Sequence, residues 1–310
     1  MRRSADHRKI RPWPDAEHSS RFGLLVLFTR GLASAGPPHS ALPRRPRQLP
    51  GRRLLLKLMG ISQNAFIRLA GPRSLLFLGD TLVLDRWAWL QSRLPPPPAS
   101  LVDVGCGNGW LAINCSRLGY NTLGIGWAGP DLVKARERAA MFDSNARFEV
   151  QDVRTLSTRY DLKESFEIIT CFENIEHIID DAAVMRSLAH VLRPGGRLLL
   201  TTPSQDYIPM AAGDAGPFKE VEDGGHVRKG YSPERLSCLS EQAGLKVVEI
   251  SFCSGWSSQK VTTLLRALTC RIGYGPAWAL TFPLRLVPPL FDNRDQLYPR
   301  YSICMMATKA

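Results

Sequence analysis

From residue 100 to the end of the chain, short runs of apolar and β-branched residues alternate with stretches whose apolar residues recur at helical spacing. This alternation is typical of a parallel sheet with helices on both faces, so we predict a doubly wound α/β fold. The predicted strands cover 101–104, 122–125, 147–150, 166–172, 197–202, 246–252 and 301–308, and the predicted helices lie near 109–118, 131–141, 181–192 and 232–243. Pro194 and the two glycines after it predict a turn over 192–196.

The chain before residue 100 divides into two parts of different composition. Residues 1–58 are rich in Arg, Pro, Ser and Gly, which predicts a disordered basic tail because such a composition does not support a packed core. Residues 59–99 form a predicted helical segment, in which apolar positions over 78–94 follow helical spacing and the prolines at 95–98 end it. The main domain is predicted to cover 100–310.

Charge and cysteine content narrow the classes of function. The chain carries a net charge of +12, but residues 1–60 hold 13 basic and 3 acidic residues, so the remainder is nearly neutral. A neutral body argues against a broad surface that follows a nucleic-acid backbone. The 7 cysteines form no C-x-x-C pair. This pattern argues against a structural zinc site and predicts buried thiols in a reducing, cytoplasmic compartment.

Three glycines at alternate positions lie between the first predicted strand and the helix that follows it. They are Gly105, Gly107 and Gly109. Without Cβ atoms the backbone turns tightly there and lets a ligand lie against it. A dinucleotide site would have the wider G-x-G-x-x-G spacing, whereas this loop has G-x-G-x-G.

Four motifs in this order resemble the class I S-adenosylmethionine-dependent methyltransferases over roughly residues 101–245. They are VDVGCGNG, Asp152 after the third strand, the pair Glu176 and His177, and LRPGGRLLLTTP. The resemblance implies a Rossmann-like, seven-stranded sheet whose last strand is antiparallel, with S-adenosylmethionine as the cofactor.

The resemblance also implies roles for the residues around the glycine loop. It places Gly105, Gly107 and Gly109 under the methionine and ribose, Asp103 behind the loop, and Asp152 with Val153 at the adenine edge. One position departs from the pattern. Members of the family usually carry a carboxylate for the ribose hydroxyls after the second strand, where this chain has Gly126 and Trp127. Trp127 either stacks on the adenosine or packs against the second helix.

A second group of polar residues follows the fourth predicted strand. Glu173, Glu176 and His177 stand at i, i+3 and i+4, so one helical turn would place all three on the same face. That face would line the crevice at the carboxyl ends of the strands. Two carboxylates so close repel each other unless a cation lies between them. His226, in a glycine-rich loop further along the chain, is a fourth candidate ligand.

The pattern E-x-x-E-H with a distant histidine resembles the metal site of the small-RNA 3′-end 2′-O-methyltransferases. It is also similar to the E-x-x-E-H of the ubiquinone-pathway catechol O-methyltransferases. The resemblance implies a divalent ion, Mn²⁺ or Mg²⁺, held by Glu173, Glu176, His177 and His226. In the metal-free alternative His226 or His177 acts as the general base. The residues predicted to act in catalysis are Glu176, His177 and His226.

An insertion at about 254–299 separates the last two predicted strands. Residues 261–268 are helical in pattern, and an apolar, proline-rich stretch follows over 273–291. The prolines argue against a regular membrane-spanning helix. Three interpretations stay open: an apolar cap over the substrate, a patch over 261–291 that rests on a membrane, and extra packing against the sheet.

Together these patterns predict an S-adenosylmethionine-dependent O-methyltransferase acting on a hydroxyl of a small molecule, a sugar or a lipid-linked glycan. One alternative is a 2′-O-methyltransferase of a terminal RNA nucleotide, which needs few phosphate contacts. Another is a cofactor-binding scaffold without catalysis, suggested by the missing ribose carboxylate. The expected location is the cytoplasm, free or at the inner face of a membrane.

Overall fold

The computed structural model describes residues 63–127, 129–286 and 298–310. The chain divides into two units, Met1–Leu58 and Met59–Ala310, and all described residues belong to the second. The prediction of a disordered tail over 1–58 lies outside the described residues.

A single seven-stranded sheet organises the second unit. Its strands are β1 (Ser100–Val104), β2 (Asn121–Gly126), β3 (Arg147–Val150), β4 (Phe166–Phe172), β5 (Leu192–Pro203), β6 (Leu245–Cys253) and β7 (Ser302–Lys309). They lie in the order β3-β2-β1-β4-β5-β7-β6. β7 runs antiparallel to β5 and β6, and the remaining pairs are parallel. The doubly wound, mostly parallel sheet with an antiparallel last strand is therefore confirmed. Because β1 to β5 run in one direction, the loops after them meet at one edge.

Eight α-helices lie among the described residues. They are α1 (Gln63–Ala70), α2 (Leu82–Gln91), α3 (Trp110–Arg117), α4 (Pro130–Met141), α5 (Asp181–Val191), α6 (Pro233–Gln242), α7 (Trp256–Ile272) and α8 (Tyr274–Thr281). Local sequence explains several starts. Asp180 accepts a hydrogen bond from the amide of Ala183 at the start of α5, and Ser232 precedes Pro233 at the start of α6. None of the helices among these residues is long and apolar enough to cross a membrane.

The predicted turn over 192–196 is instead the beginning of β5. Phe166 pairs with Leu192 and Ile168 with Arg197, so the register shifts and the extra residues around Gly195 bulge out of the ladder. Gly195 has a φ of 72°, which only glycine adopts without strain. The Pro-Gly-Gly signal therefore marks an irregularity within a strand.

Apolar side chains cover both faces of the sheet. One cluster contains Val102, Ile169, Leu198 and Ile303 under α5 and α6, and a second contains Leu101, Ile168 and Leu199 under α2 and α3. The prediction of buried thiols holds for five cysteines but is wrong for Cys238 and Cys270, which are exposed.

The insertion between β6 and β7 contains α7, α8 and a short 3₁₀ helix, Pro283–Leu286. One side of it packs against the segment before α2. The indole of Trp278 donates to the carbonyl of Phe77 at 2.7 Å, and Arg285 donates to the carbonyl of Gly79. Packing against neighbouring structure is thus one role of the insertion.

Candidate functional site

The glycine loop turns away from β1 in a conformation that side chains disfavour. Gly105 has a φ of 80°, and its amide and that of Cys106 both donate to the carbonyl of Ile125, at 2.8 and 3.0 Å. A Cβ on Gly105 would lie 2.3 Å from the side-chain nitrogen of Asn174. Backbone and neighbouring side chain therefore both require glycine at this position.

Two alanine substitutions distinguish the effect of the backbone conformation from that of the contact with Asn174. Gly107 also has a positive φ, of 49°, but a Cβ there would have no atom within 4 Å. We expect Gly105→Ala to lower the free energy of unfolding by about 1–3 kcal/mol more than Gly107→Ala, because only the first must displace Asn174. Denaturant unfolding of both variants measures the difference. Equal losses would show that Asn174 does not confine the loop.

Asp103 lies behind the loop at the end of β1. Its side chain is 3% exposed and accepts a hydrogen bond from the hydroxyl of Thr170 at 2.9 Å. Burial raises the pKa of Asp103 to about 7, although Thr170 opposes this shift. Asp103 is therefore a buried support of the loop.

At the ends of β2 and β3 the structure places the residues predicted for the adenine side. Trp127 is 49% exposed beyond Gly126, whose carbonyl accepts the amide of Gln151 at 3.0 Å. Val153 is buried in the core. The indole of Trp127 thus offers an accessible aromatic surface at this edge of the sheet.

The carboxylate of Asp152 is engaged by Arg154. It accepts the backbone amide of Arg154 at 2.9 Å and its guanidinium at 2.6 Å. Partial burial alone would raise the pKa of Asp152, but the hydrogen bonds and charge of Arg154 hold it below the usual value. Arg154 also pairs with Glu222, which accepts the amide of Ile179 at 2.7 Å. This network connects the end of β3 to the loop that carries His226.

Glu173 does not share a helical face with Glu176 and His177, so that prediction is wrong. Its φ is 48°, and only the three residues Ile175–His177 form a 3₁₀ turn. The left-handed residue sends the Glu173 side chain towards α2, where it pairs with the buried guanidinium of Arg86 at 2.8 Å. The hydroxyl of Thr201 donates to the same carboxylate at 3.2 Å. Glu173 therefore neutralises Arg86 in the structure.

Glu176, His177 and His226 do come together. One oxygen or nitrogen atom from each lies within 4.8 Å of the others. The carboxylate of Glu176 is fully buried and accepts the hydroxyl of Thr202 at 2.9 Å, while its other oxygen and Nδ1 of His177 are buried without a hydrogen-bond partner. Buried polar atoms without partners are costly unless a ligand satisfies them.

Electrostatics sets the protonation of this group. Burial raises the pKa of Glu176, although Thr202 opposes the shift. Burial and then the neighbouring His177 lower the pKa of His226 to about 4. The two imidazole rings meet edge to face, with centroids 4.7 Å apart. His226 is consequently a neutral imidazole near pH 7, with a lone pair available for a cation or a proton.

Hydrogen bonds from the backbone and from Arg228 hold the loop that carries His226. The amide of Val227 donates to the carbonyl of Glu176 at 3.0 Å. Arg228 donates to the carbonyl of Ile179 at 2.9 Å and to Asp181 at 3.1 Å. The loop is thereby attached to the segment that carries Glu176 and His177.

Three arginines of this region have no place in the sequence prediction. Arg86 gives no local signal, because its partner Glu173 lies on another element. Arg154 stands two residues after its partner Asp152, which the resemblance assigns to the adenine edge. Arg228 follows His226 by two residues, and its His-x-Arg pattern before α6 is the only hint of its role. Long-range ion pairs of this kind leave no periodicity in the sequence.

The fold, the glycine loop and the crevice beside it define a class I S-adenosylmethionine-dependent methyltransferase. A family model described as a methyltransferase domain matches residues 82–250, more than half of the chain. The chain belongs to this methyltransferase family and is an S-adenosylmethionine-dependent O-methyltransferase.

Named relatives and solved structures are similar to this chain. A ubiquinone biosynthesis O-methyltransferase of Xanthomonas axonopodis pv. citri is 33% identical over 171 residues, which cover 54% of this chain and 70% of the relative. One of Aeromonas salmonicida is 30% identical over 155 residues, covering 49% and 64%. The cyclase SpnF is 19% identical with a TM-score of 0.50, covering 72% and 79%, and shares the fold. A methyltransferase structure from Mesorhizobium loti is 19% identical with a TM-score of 0.49, covering 75% and 100%.

Proposed function

We propose that the cofactor lies across the glycine loop, in the crevice at the carboxyl ends of β1, β2 and β3. The residues that would form this site are Gly105, Gly107, Gly109, Gly126, Trp127, Asp152 and Val153, with Asp103 as the buried support of the loop. The left-handed glycines leave the backbone bare where the methionine and ribose would pass. The chain has no carboxylate at the end of β2, so the exposed indole of Trp127 would contribute aromatic contact with the adenosine instead.

The role of Trp127 has a direct test. We expect Trp127→Ala to raise the Kd for S-adenosylmethionine about 5- to 100-fold, because stacking on a base contributes about 1–3 kcal/mol. Isothermal calorimetry measures the Kd. Trp256→Ala is the matched control, since Trp256 is 47% exposed in the insertion, outside the proposed contacts. An unchanged Kd for Trp127→Ala would remove the stacking role.

We further propose that Glu176, His177 and His226 hold a divalent metal ion. The support is the convergence of one carboxylate and two imidazoles, together with an oxygen of Glu176 and Nδ1 of His177 that are buried without hydrogen-bond partners. The two nitrogens favour Mn²⁺ over Mg²⁺ in intrinsic affinity. When bound, such an ion lowers the pKa of a hydroxyl and fixes its orientation. Glu173 is not among the proposed ligands, because Arg86 occupies its carboxylate.

The proposed acceptor is a vicinal diol, above all a catechol ring, and the similarity to relatives named ubiquinone biosynthesis O-methyltransferases supports a hydroxyl acceptor. Glu176 and His177 follow the end of β4, and the loop after β5 brings His226 to them through the bond from Val227 to Glu176. Asn174 of the same segment lies against Gly105, so we expect a hydroxyl held here to face the methyl group. The convergence of Glu176, His177 and His226 is the single observation that carries this proposal. The neutral imidazole of His226 supports a second mechanism, in which it accepts the hydroxyl proton directly.

Matched diols test the acceptor and the metal together. We expect methylation of catechol and much slower methylation of resorcinol, whose hydroxyls are not adjacent, with product formation followed by mass spectrometry. Removal of divalent ions by a chelator should abolish transfer, and Mn²⁺ should restore it. Full activity after chelation would favour His226 as the base. Equal rates on both diols would remove the requirement for adjacent hydroxyls.

A further inference from the structure

The insertion helix α7 has one face towards the site and another face that is exposed, where Nζ of Lys260 lies 5.5 Å from the centre of the Tyr298 ring. On the first face, Arg266 pairs with Asp214 at 2.8 Å. Asp214 lies on the connection from β5 to α6 that also carries His226, so this face of α7 adjoins that connection. Helix α7 therefore lies on the proposed acceptor side of the crevice.

The opposite face of α7 is a continuous exposed stripe with a mixed composition. Its members, spaced four, four, three and four residues apart, are Trp256, Lys260, Leu264, Ala267 and Arg271, and we call them the docking face. This spacing places all five on one side of a helix. Trp256 is 47% and Leu264 41% exposed.

Several of the residues that follow the docking face in the chain are also exposed and apolar. Ile272, Leu280, Leu284 and Leu286 are all exposed apolar residues. Residues 255–286 contain 4 basic residues and no Asp or Glu. Lys260 and Arg271 lie on the exposed stripe, whereas Arg285 is buried. Exposed apolar side chains with cations, an interfacial tryptophan and no acidic residue complement an anionic bilayer surface.

We propose that the docking face rests on the surface of an anionic lipid bilayer. The tryptophan and leucine enter the headgroup region, while the lysine and arginine extend their charged ends to lipid phosphates. Because the other face of α7 adjoins the connection that carries His226, docking brings the proposed acceptor side of the crevice to the membrane. An acceptor with an apolar tail would then enter from the bilayer, a consequence that rests on the proposed function.

Co-sedimentation of the full chain with vesicles tests the docking face. We expect binding to vesicles of phosphatidylcholine and phosphatidylglycerol in equal amounts, weaker binding to phosphatidylcholine alone, and weakening by salt. The double variant Lys260→Glu and Arg271→Glu should lose about tenfold or more in affinity, since each cation contributes on the order of a few-fold. Leu264→Glu should weaken binding to both kinds of vesicle.

Val133→Glu is the matched control, because Val133 is 52% exposed on α4 and should leave binding unchanged. Residues 1–62 are present in all variants, so any vesicle affinity of this basic segment cancels in the comparison. Unchanged binding of the double variant would overturn the proposal. Methylation of soluble catechol without vesicles, expected to be the same in all variants, reports on the proposed function separately.

Discussion

Glu176→Gln is expected to reduce kcat/KM for methyl transfer by about 100-fold or more. The amide keeps the shape of the side chain and its contact with the hydroxyl of Thr202, but it cannot carry the negative charge that the proposed cation requires. Steady-state kinetics with catechol measures the loss. Metal analysis of the purified variant should show Mn²⁺ content reduced in parallel.

Glu234→Gln provides the control for this experiment, because Glu234 lies in the first turn of α6 and is exposed. Its kinetics and metal content should match those of the parent. Parent-like turnover of Glu176→Gln would exclude a role for this carboxylate in catalysis. Reduced turnover with full metal content would assign Glu176 to the substrate instead.

Glu173→Gln is expected to have its main effect on stability. The substitution leaves the buried guanidinium of Arg86 without its counter-charge, and breaking such a pair lowers the free energy of unfolding by about 3–5 kcal/mol. Urea unfolding measures the change. The double variant Arg86→Met with Glu173→Gln should recover part of the loss, because it removes both charges.

Metal content distinguishes the roles that we propose for Glu173 and Glu176. Glu173→Gln should retain Mn²⁺ at the level of the parent, since Arg86 occupies its carboxylate. Loss of metal from this variant, with unchanged stability, would restore Glu173 to the ligand set that the sequence predicts. The two substitutions therefore decide between the sequence-based set of four ligands and the three that the structure gathers.

Local patterns in the sequence predict the sheet closely. β3 and β4 begin and end at the predicted residues, and the other strands differ by only a few residues except β5. The glycine loop is also predictable, because G-x-G-x-G after a strand indicates a tight turn that side chains would disfavour. Such features depend on neighbours along the chain, and periodicity records them.

The arrangement of the acidic residues is not predictable in the same way. A spacing of i, i+3 and i+4 indicates a shared face only if the segment is helical, and the left-handed conformation of Glu173 breaks that condition. Its partner Arg86 lies on α2, far away in the chain, and no pattern in the sequence connects the two. His226, in contrast, is predicted as a site residue from the sequence alone, because it lies in a glycine-rich loop.

The antiparallel position of β7 determines where the insertion enters the molecule. Cys253 at the end of β6 and Pro203 at the end of β5 both pair with Ser302 at the start of β7. The connection from β6 to β7 therefore leaves and re-enters the sheet at the edge where β5 ends, on the side of the crevice. Within this connection α8 also packs towards the half of the domain that holds the glycine loop, because Trp278 lies against the cluster that contains Cys106 and Phe148. A change in this connection is therefore expected to act on both halves of the domain, on the proposed acceptor side through α7 and on the donor side through α8.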